Sequence, residues 1–344
     1  MARNVDELSP QIVALEKIAS YYVHGKGKTL LESLPQGDRP FFVGMGAIAD
    51  AAAIAAMQCQ RCAVAASSME MAEVHSMPAA LFSKFSPLLC LSRSGEDAKI
   101  PQFLRKVERG PLIAITNDEQ STLAQSANSV LPLFGGDETS LTNKAYLNSL
   151  ALCWLVCRRL CHAWDGTEDE QLKRAISRVR VLQMGKASIL KAWHDVMDGT
   201  RHLIFIGRGP QAISARRGAA VMAVMARTLV QAISLESMRN SFIELSEPGL
   251  GVVIFANSEN TLQAELDLAD ELDGYGVNVL LVIDGMPRRI REDPPVPVGF
   301  DPFLSTLLDA ISPQLWAIEL SAALGGEGQK RRKKAEGNSN RPLD

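Results

Sequence analysis

The run Ser92-Arg93-Ser94-Gly95-Glu96-Asp97 has the chemistry of an anion site. Two hydroxyls flank a cation, and a glycine lets backbone N–H groups approach a phosphate. A helix following the run would add its positive N-terminal end. An ordinary serine-rich strand-to-helix turn is the competing reading. A second turn, Gly44-Met45-Gly46-Ala47-Ile48-Ala49, fits a dinucleotide fingerprint with alanine in the last place. That fingerprint needs an acid at the end of the next strand. The strand expected near residues 61–66 ends in Ser67-Ser68, so neither a nicotinamide nor any other cofactor is expected. His75 could act as an acid or base on a crevice rim, or merely cap the surface; His24, His162, His194 and His202 are scattered. Cys59-Gln60-Arg61-Cys62 is a lone C-x-x-C without a second pair or a histidine at metal spacing. Cys153, Cys157 and Cys161 fall on one helix face, as a soft-metal stripe or as core packing. The packing reading is preferred, and no metal is expected.

These residues are carried by a repeated set of elements. The first copy opens with the apolar strand Phe41-Phe42-Val43-Gly44-Met45-Gly46 and an alanine-rich helix over 47–57. The second opens with His202-Leu203-Ile204-Phe205-Ile206-Gly207-Arg208-Gly209 and a helix over 213–225. Leu88-Leu89-Cys90-Leu91 corresponds to Val252-Val253-Ile254-Phe255, and Leu112-Ile113-Ala114-Ile115 to Val279-Leu280-Leu281-Val282. The helices at 144–159 and 315–324 also correspond. Short continuous apolar strands alternating with helices require a parallel sheet covered on both faces. The fold class is therefore α/β, with two tandem doubly wound units. The expected organisation is an N-terminal helical segment over 1–35, a first unit over 36–165, a linker helix within 166–200, a second unit over 201–325 and a basic, disordered tail over 326–344. Residues 286–302 read as a proline-rich loop. Ligands of such sheets bind outside the carboxyl ends of the strands. That gathers the 44–46 turn, the 92–96 turn and the 139–144 segment around one crevice.

An apolar fraction of 47% is enough to bury a sizeable core in 344 residues, which excludes disorder of the whole chain. A net charge of -3 and an aromatic fraction of 6% give no basis for a polyanion surface or a base-stacking platform, so no nucleic-acid partner is expected. Six cysteines in this length are no disulfide framework and read as reduced, buried thiols. The N-terminus has no apolar core of signal-peptide type, and no run of about 18 apolar residues occurs. A cytoplasmic protein without a membrane partner is expected.

With these elements in place, the chain resembles the SIS (sugar isomerase) family. The resemblance lies in the strand–SxSGE–helix pattern, in Asn143-Lys144-Ala145-Tyr146 at a helix head, and in Gly207-Arg208-Gly209 with Gly218-Ala219. It covers roughly residues 36–325. Tandem copies resemble the isomerase half of glucosamine-6-phosphate synthase and related sugar-phosphate deaminases and deglycases. A cysteine at position 2 and a glutamine-hydrolysing domain are both absent from this sequence. The resemblance implies a phosphosugar ligand bound by Gly44, Gly46, Ser92, Arg93, Ser94, Gly95, Asp97 and Thr142. It also implies crevices completed across a homodimer.

The sequence departs from the family at informative positions. The SxSGET motif has threonine where this chain has Asp97, and a carboxylate repels phosphate unless Arg93 or a proton offsets it. The family's lysine and glutamate in the helix after the GRG turn match Val221 and Val224. The E-[LF]-[KR]-H-G-P segment, whose histidine helps open the sugar ring, reads Ser237-Met238-Arg239-Asn240-Ser241-Phe242. Its basic residue survives as Arg239 and its histidine becomes Asn240, which cannot transfer a proton near neutral pH. The family's C-terminal lysine has no clear equivalent after Leu324. Glu236 is the candidate replacement base, with Glu244 as a further carboxylate, Arg239 as a clamp and Asn240 to polarise an oxygen. Two functions follow as expectations. One is an isomerase, deaminase or deglycase of a phosphorylated or otherwise anionic sugar derivative. The other is a non-catalytic sensor of such a ligand.

Overall fold

The computed structural model of the chain describes residues 8–107, 110–136, 138, 143–258, 262–290, 292 and 301–323. Helices α1 (Ser9–Ala19) and α2 (Gly27–Glu32) flank a π-helical turn at Ser20–His24. There follow β1 (Phe41–Gly44), α3 (Ala47–Arg61), β2 (Ser67–Glu70), α4 (Met71–Val74), α5 (Ala79–Phe82), β3 (Leu88–Leu91) and α6 (Ile100–Lys106). Next come β4 (Leu112–Thr116), α7 (Thr122–Gln125), β5 (Ser129–Pro132), α8 (Lys144–Leu160), α9 (Glu168–Met184) and α10 (Lys186–Met197). The second half contains β6 (His202–Gly207), α11 (Pro210–Val221), β7 (Gln231–Ser234), α12 (Leu235–Asn240), β8 (Leu250–Ala256) and α13 (Leu262–Gly274). It continues with β9 (Asn278–Ile283), β10 (Met286–Arg288), α14 (Pro302–Asp309) and α15 (Ile311–Ala323).

The first sheet has the order β2-β1-β3-β4-β5 and is parallel throughout. The second has the order β7-β6-β8-β9-β10, with only β10 antiparallel. Counted from the first strand of each copy, both sheets read 2-1-3-4-5. The two doubly wound units expected from the sequence are present. In each, the strand order reverses between the first and third strands, so the switch-point crevices lie at the carboxyl ends of β1 and β3 and of β6 and β8.

The apolar strands are continuous because both faces are covered. Along β8, Val252 and Ile254 enter one core, and Val253 and Phe255 enter another on the opposite face. In β1, Phe42 faces inward while Phe41 and Val43 face out under α4 to α6. The inner faces of both sheets share a single core with α3, α8, α9, α10, α11, α14 and α15. Trp193 on α10, fully buried, stacks on Trp316 of α15 at 4.3 Å and donates its Nε1–H to Ser312 Oγ at 2.7 Å.

Several expectations need correction. The strand placed near 61–66 begins only at Ser67 and ends on Glu70. Nothing in Cys59-Gln60-Arg61 breaks α3, which runs to Arg61 and stops where Ala63 takes a left-handed φ of 61°. The linker is two helices, because Gly185 ends α9 and starts α10. The loop expected over 286–302 contains a short strand, β10. Cys62 is exposed and Cys161 half-buried, because both lie just beyond helix ends; the other four cysteines are buried. The basic run at 330–334 and the tail lie outside the described residues.

Candidate functional site

The first crevice is shaped by its glycines. Gly46 takes φ +56° at the head of α3, a region that costs a side-chain-bearing residue energy. Gly209 repeats it at the head of α11 with the same φ, so the two copies share their first turn. Gly95 is held at φ +69°, and a Cβ there would lie 2.0 Å from Ser121 Oγ. The 92–97 turn is thereby pinned against the end of β4.

Within that turn Ser92 is buried and fully engaged. Its hydroxyl accepts from the Gly95 N–H at 3.0 Å and donates to Asp97 Oδ2 at 2.6 Å. Ser94 Oγ accepts from the Glu96 N–H at 3.2 Å, and the Glu96 carboxylate accepts from Thr122 Oγ1 at 2.8 Å. Arg93 and Ser94 are exposed, and no ion pair holds Arg93 among the described residues. The carbonyl of Arg93 accepts from the Asn117 N–H at 3.0 Å. The helix expected directly after the turn starts three residues past Asp97, at Ile100, and is one short element of seven residues. Thr142 lies outside the described residues.

A network of buried charges that the sequence reading did not single out lies at the heads of α3 and α8. Asp50, in the first turn of α3, is buried and ion-paired with Arg216 of α11, whose Nε lies 2.9 Å from Oδ1. Burial pushes the Asp50 carboxyl up, while Arg216 and Arg217 pull it back. Arg217 is itself buried and donates to Asn143 Oδ1 at 3.2 Å; its Cζ lies 5.1 Å from the Tyr146 ring centre. Burial pulls Arg217 down, opposed by Tyr146, Asp50 and Glu138. The Glu138 carboxylate accepts from the Lys144 N–H at the head of α8, and burial raises its pKa. The signal was visible in the sequence: Asp50 is the lone acid in an alanine-rich helix, and Arg216-Arg217 interrupt another.

Glu70 stands opposite Gly44 in the β1–β2 register. An acid therefore does end the second strand, and the sequence argument against a dinucleotide falls. What opposes that ligand is Asp50, a carboxylate already in the first turn of α3, where a pyrophosphate would sit. His75 is exposed after α4, and its carbonyl accepts from Lys106 Nζ at 2.6 Å.

The second switch point is filled. Asn257 Nδ2 donates to Asp284 Oδ1 and to Ser305 Oγ, both at 3.1 Å. Gln211 Nε2 donates to the same Ser305 hydroxyl at 3.0 Å, and Asp309 Oδ1 accepts from the Gly285 N–H at 3.2 Å. All five side chains are buried, and α14 supplies Ser305 and Asp309. Beside this plug, Arg208 pairs with the buried Glu265 at 3.2 Å, and burial raises that carboxyl.

Glu236, Arg239 and Asn240 lie together on α12, all exposed. Ser234 caps this helix by accepting from the Ser237 N–H at 3.0 Å, and Arg239 Nη2 donates to the Ala264 carbonyl at 3.1 Å. The helix packs on β6 and β7 of its own unit, and no hydrogen bond or ion pair among the described residues joins these three side chains to the first crevice. Val221 is core, 1% exposed, and Val224 is 56% exposed. Among the described residues no group of three or more His, Cys, Asp and Glu side chains is arranged to hold a metal ion, and no helix is long and apolar enough to cross a membrane.

The chain is an α/β protein of two tandem doubly wound units, the first presenting a serine–glycine turn at its switch point. Residues 33–159 match the family model described as SIS domain, and the first unit is a SIS domain. A glutamine–fructose-6-phosphate aminotransferase (isomerizing) of Lactiplantibacillus plantarum is 23% identical over 350 residues, covering 98% of this chain and 57% of that protein. The chain spans about half the length of the curated relatives it matches. The C-terminal domain of glucosamine-fructose-6-phosphate aminotransferase from Francisella tularensis superposes with a TM-score of 0.78 at 17% identity, covering 94% of this chain and 97% of that one. Glucosamine-6-phosphate deaminase from Thermotoga maritima gives 0.71 at 20%, covering 94% and 95%.

Proposed function

We propose that this protein binds a phosphorylated sugar, or a similarly anionic sugar derivative, at the switch point of its first unit, and acts on it as an isomerase, deaminase or deglycase. The observation that carries the reading is the asymmetry of the two crevices. The first offers Arg93 and the Ser94 hydroxyl to solvent beside a glycine turn, whereas the second is occupied by α14. The names of the related aminotransferases and the deaminase supply the ligand class. In this reading Glu236 is the base, Arg239 steadies developing negative charge and Asn240 polarises an oxygen. Because α12 packs within its own unit, a second copy of the chain brings Glu236 to the ligand, and the working form is a homodimer.

The test is a thermal-shift panel of hexose 6-phosphates, hexosamine 6-phosphates, fructosamine phosphates and their carboxylate or sulfonate analogues. A ligand that binds the folded state raises the melting temperature by mass action. A shift by one class, followed by NMR observation of that compound's conversion, is the expected result. No shift across the panel overturns the ligand class. A shift without conversion favours the second reading, a non-catalytic sugar-phosphate sensor. That reading is supported by Val221 and Val224, which cannot move protons where the resemblance calls for a lysine and a glutamate.

A further inference from the structure

In the first sheet β4 runs between β3 and β5, and the residue that leaves β4 is Asn117. Its backbone and its side chain serve different neighbours. The backbone N–H donates to the Arg93 carbonyl at 3.0 Å, and the Thr116 hydroxyl donates to the same carbonyl at 3.3 Å. The half-buried side chain turns the other way, to the segment that leaves β5. Asn117 Oδ1 accepts from the Gly135 N–H at 2.7 Å, and Nδ2 donates to the Gly136 carbonyl at 3.3 Å. A side-chain amide carries one acceptor and one donor group side by side, which is what this bracket uses. The bracketed turn needs holding. Phe134 has φ 54° and Gly136 φ 60°, and a bulky residue such as Phe134 is strained in that region. The turn also seats directly on α8: a Cβ added to Gly135 would lie 2.9 Å from Ala145 Cα. Asn117 thereby ties the 92–97 turn to the head of α8. At that head Asn143 Oδ1 accepts from the buried Arg217 of α11 at 3.2 Å.

We propose that Asn117 is a positioning residue of the first crevice, setting the spacing between the turn that takes the anion and the head of α8, which meets the rest of the ligand. The inference rests on the reading that this crevice binds an anionic sugar derivative. A sugar phosphate must satisfy the 92–97 turn and the α8 head at once, so it senses their separation. Inorganic phosphate meets the turn alone and does not. The turn itself keeps its shape without the Asn117 side chain. Its ties are the backbone N–H of Asn117, the Leu123 N–H to the Gly95 carbonyl at 3.1 Å, and Ser92 with Asp97. Loss of the amide therefore frees the 134–136 turn and the α8 head while leaving the anion turn in place, and the two probes respond differently.

The full chain and its Asn117→Ala variant are titrated with inorganic phosphate, fructose 6-phosphate and glucosamine 6-phosphate. The sugar phosphate that wild type binds should weaken about tenfold in the variant, while phosphate keeps its affinity. Gly135→Ala drives the same turn off Ala145 with Asn117 intact, and should show the same split if Asn117→Ala folds poorly. Hydrogen exchange reads the spacing without a ligand: peptides over 133–136 and 144–150 should exchange faster in Asn117→Ala, and those over 88–97 at the wild-type rate. Equal losses for phosphate and sugar phosphate, or faster exchange over 88–97 as well, would make Asn117 a structural residue only and overturn the proposal. Sugar-phosphate affinity that Asn117→Ala leaves unchanged overturns the proposal alone. Wild type that binds none of the three probes overturns it together with the sugar-phosphate reading.

Discussion

Replacing Asp97 by asparagine should tighten the binding of a sugar phosphate. Asp97 Oδ2 lies 2.6 Å from the Ser92 hydroxyl. A phosphate oxygen bound at the same turn, about two hydrogen-bond lengths from the carboxylate, would sit about 5 Å away. Asp97 is half-buried, so the effective dielectric lies between that of the protein surface and water. Coulomb repulsion there is about 1.5 kcal/mol per unit of phosphate charge, equivalent to about a tenfold change in Kd. Asparagine keeps an oxygen to accept from Ser92, so the turn should persist while the charge is lost. Isothermal titration of wild type and Asp97→Asn against the compound that gives the largest thermal shift reads the difference. The gain should shrink at high salt, because this site is open to counterions. An unchanged or weaker Kd, with an unmoved melting temperature, would refute the reasoning and mean that Asp97 contacts a hydroxyl or amine of the ligand instead.

Ser94→Ala should weaken the same ligand by about tenfold, the worth of one hydrogen bond to a charged group; equal affinity in titration removes Ser94 from the site. Glu236→Gln should abolish turnover in the NMR assay while leaving the thermal shift intact, and undiminished turnover removes Glu236 from the mechanism. Asp309→Asn concerns stability. Burial, with Asp284 adding to it, raises the Asp309 carboxyl well above the ordinary range. The folded state therefore retains a proton that the unfolded chain releases. The contribution is fully favourable below the unfolded value, about pH 4, and is lost as pH rises towards and through the raised value. Asp309→Asn should melt higher than wild type by a few degrees at neutral pH, with the gap closing towards pH 4. A pH-independent gap in a melting series would contradict that account.

The repeat was legible because apolar strands covered on both faces leave continuous runs in the sequence, and because each first strand ends on the same glycine turn. The boundary at β2 was not. No glycine or proline marks the end of α3; the helix stops on Ala63, an alanine in a glycine-like conformation. That misplacement hid Glu70 at the strand end. β10 was missed because three residues ending in Pro287-Arg288 carry no strand period. Within the site, Ser92 and Asp97 were both marked, but spacing alone does not show that one hydroxyl serves the other. Asp50 and Arg216 are 166 positions apart and meet only through the packing of α11 on α3. No local pattern encodes that pair.

Duplication gave the chain two equivalent turns, yet their surroundings make them energetically unequal. Gly46 and Gly209 agree in φ and to one degree in ψ, at -129° and -130°. The backbone therefore offers the same invitation twice. A ligand at the second switch point would have to displace Ser305 and Asp309, both fully buried. It would strip Gln211 of its Ser305 acceptor and Asn257 of one of its two acceptors, and each buried polar group left unpaired costs about 1–3 kcal/mol. A ligand at the first meets Arg93 and Ser94 already in water and gives up only their hydration. Ser92, held between Gly95 and Asp97, keeps the turn in shape without a ligand, so little ordering remains to be done on binding. The second unit's contribution to the site lies instead in α11. Its Arg216 and Arg217 offset the carboxylates of Asp50 and Glu138 at the heads of α3 and α8, and on the proposed reading they remove a repulsion that an anionic ligand would otherwise meet.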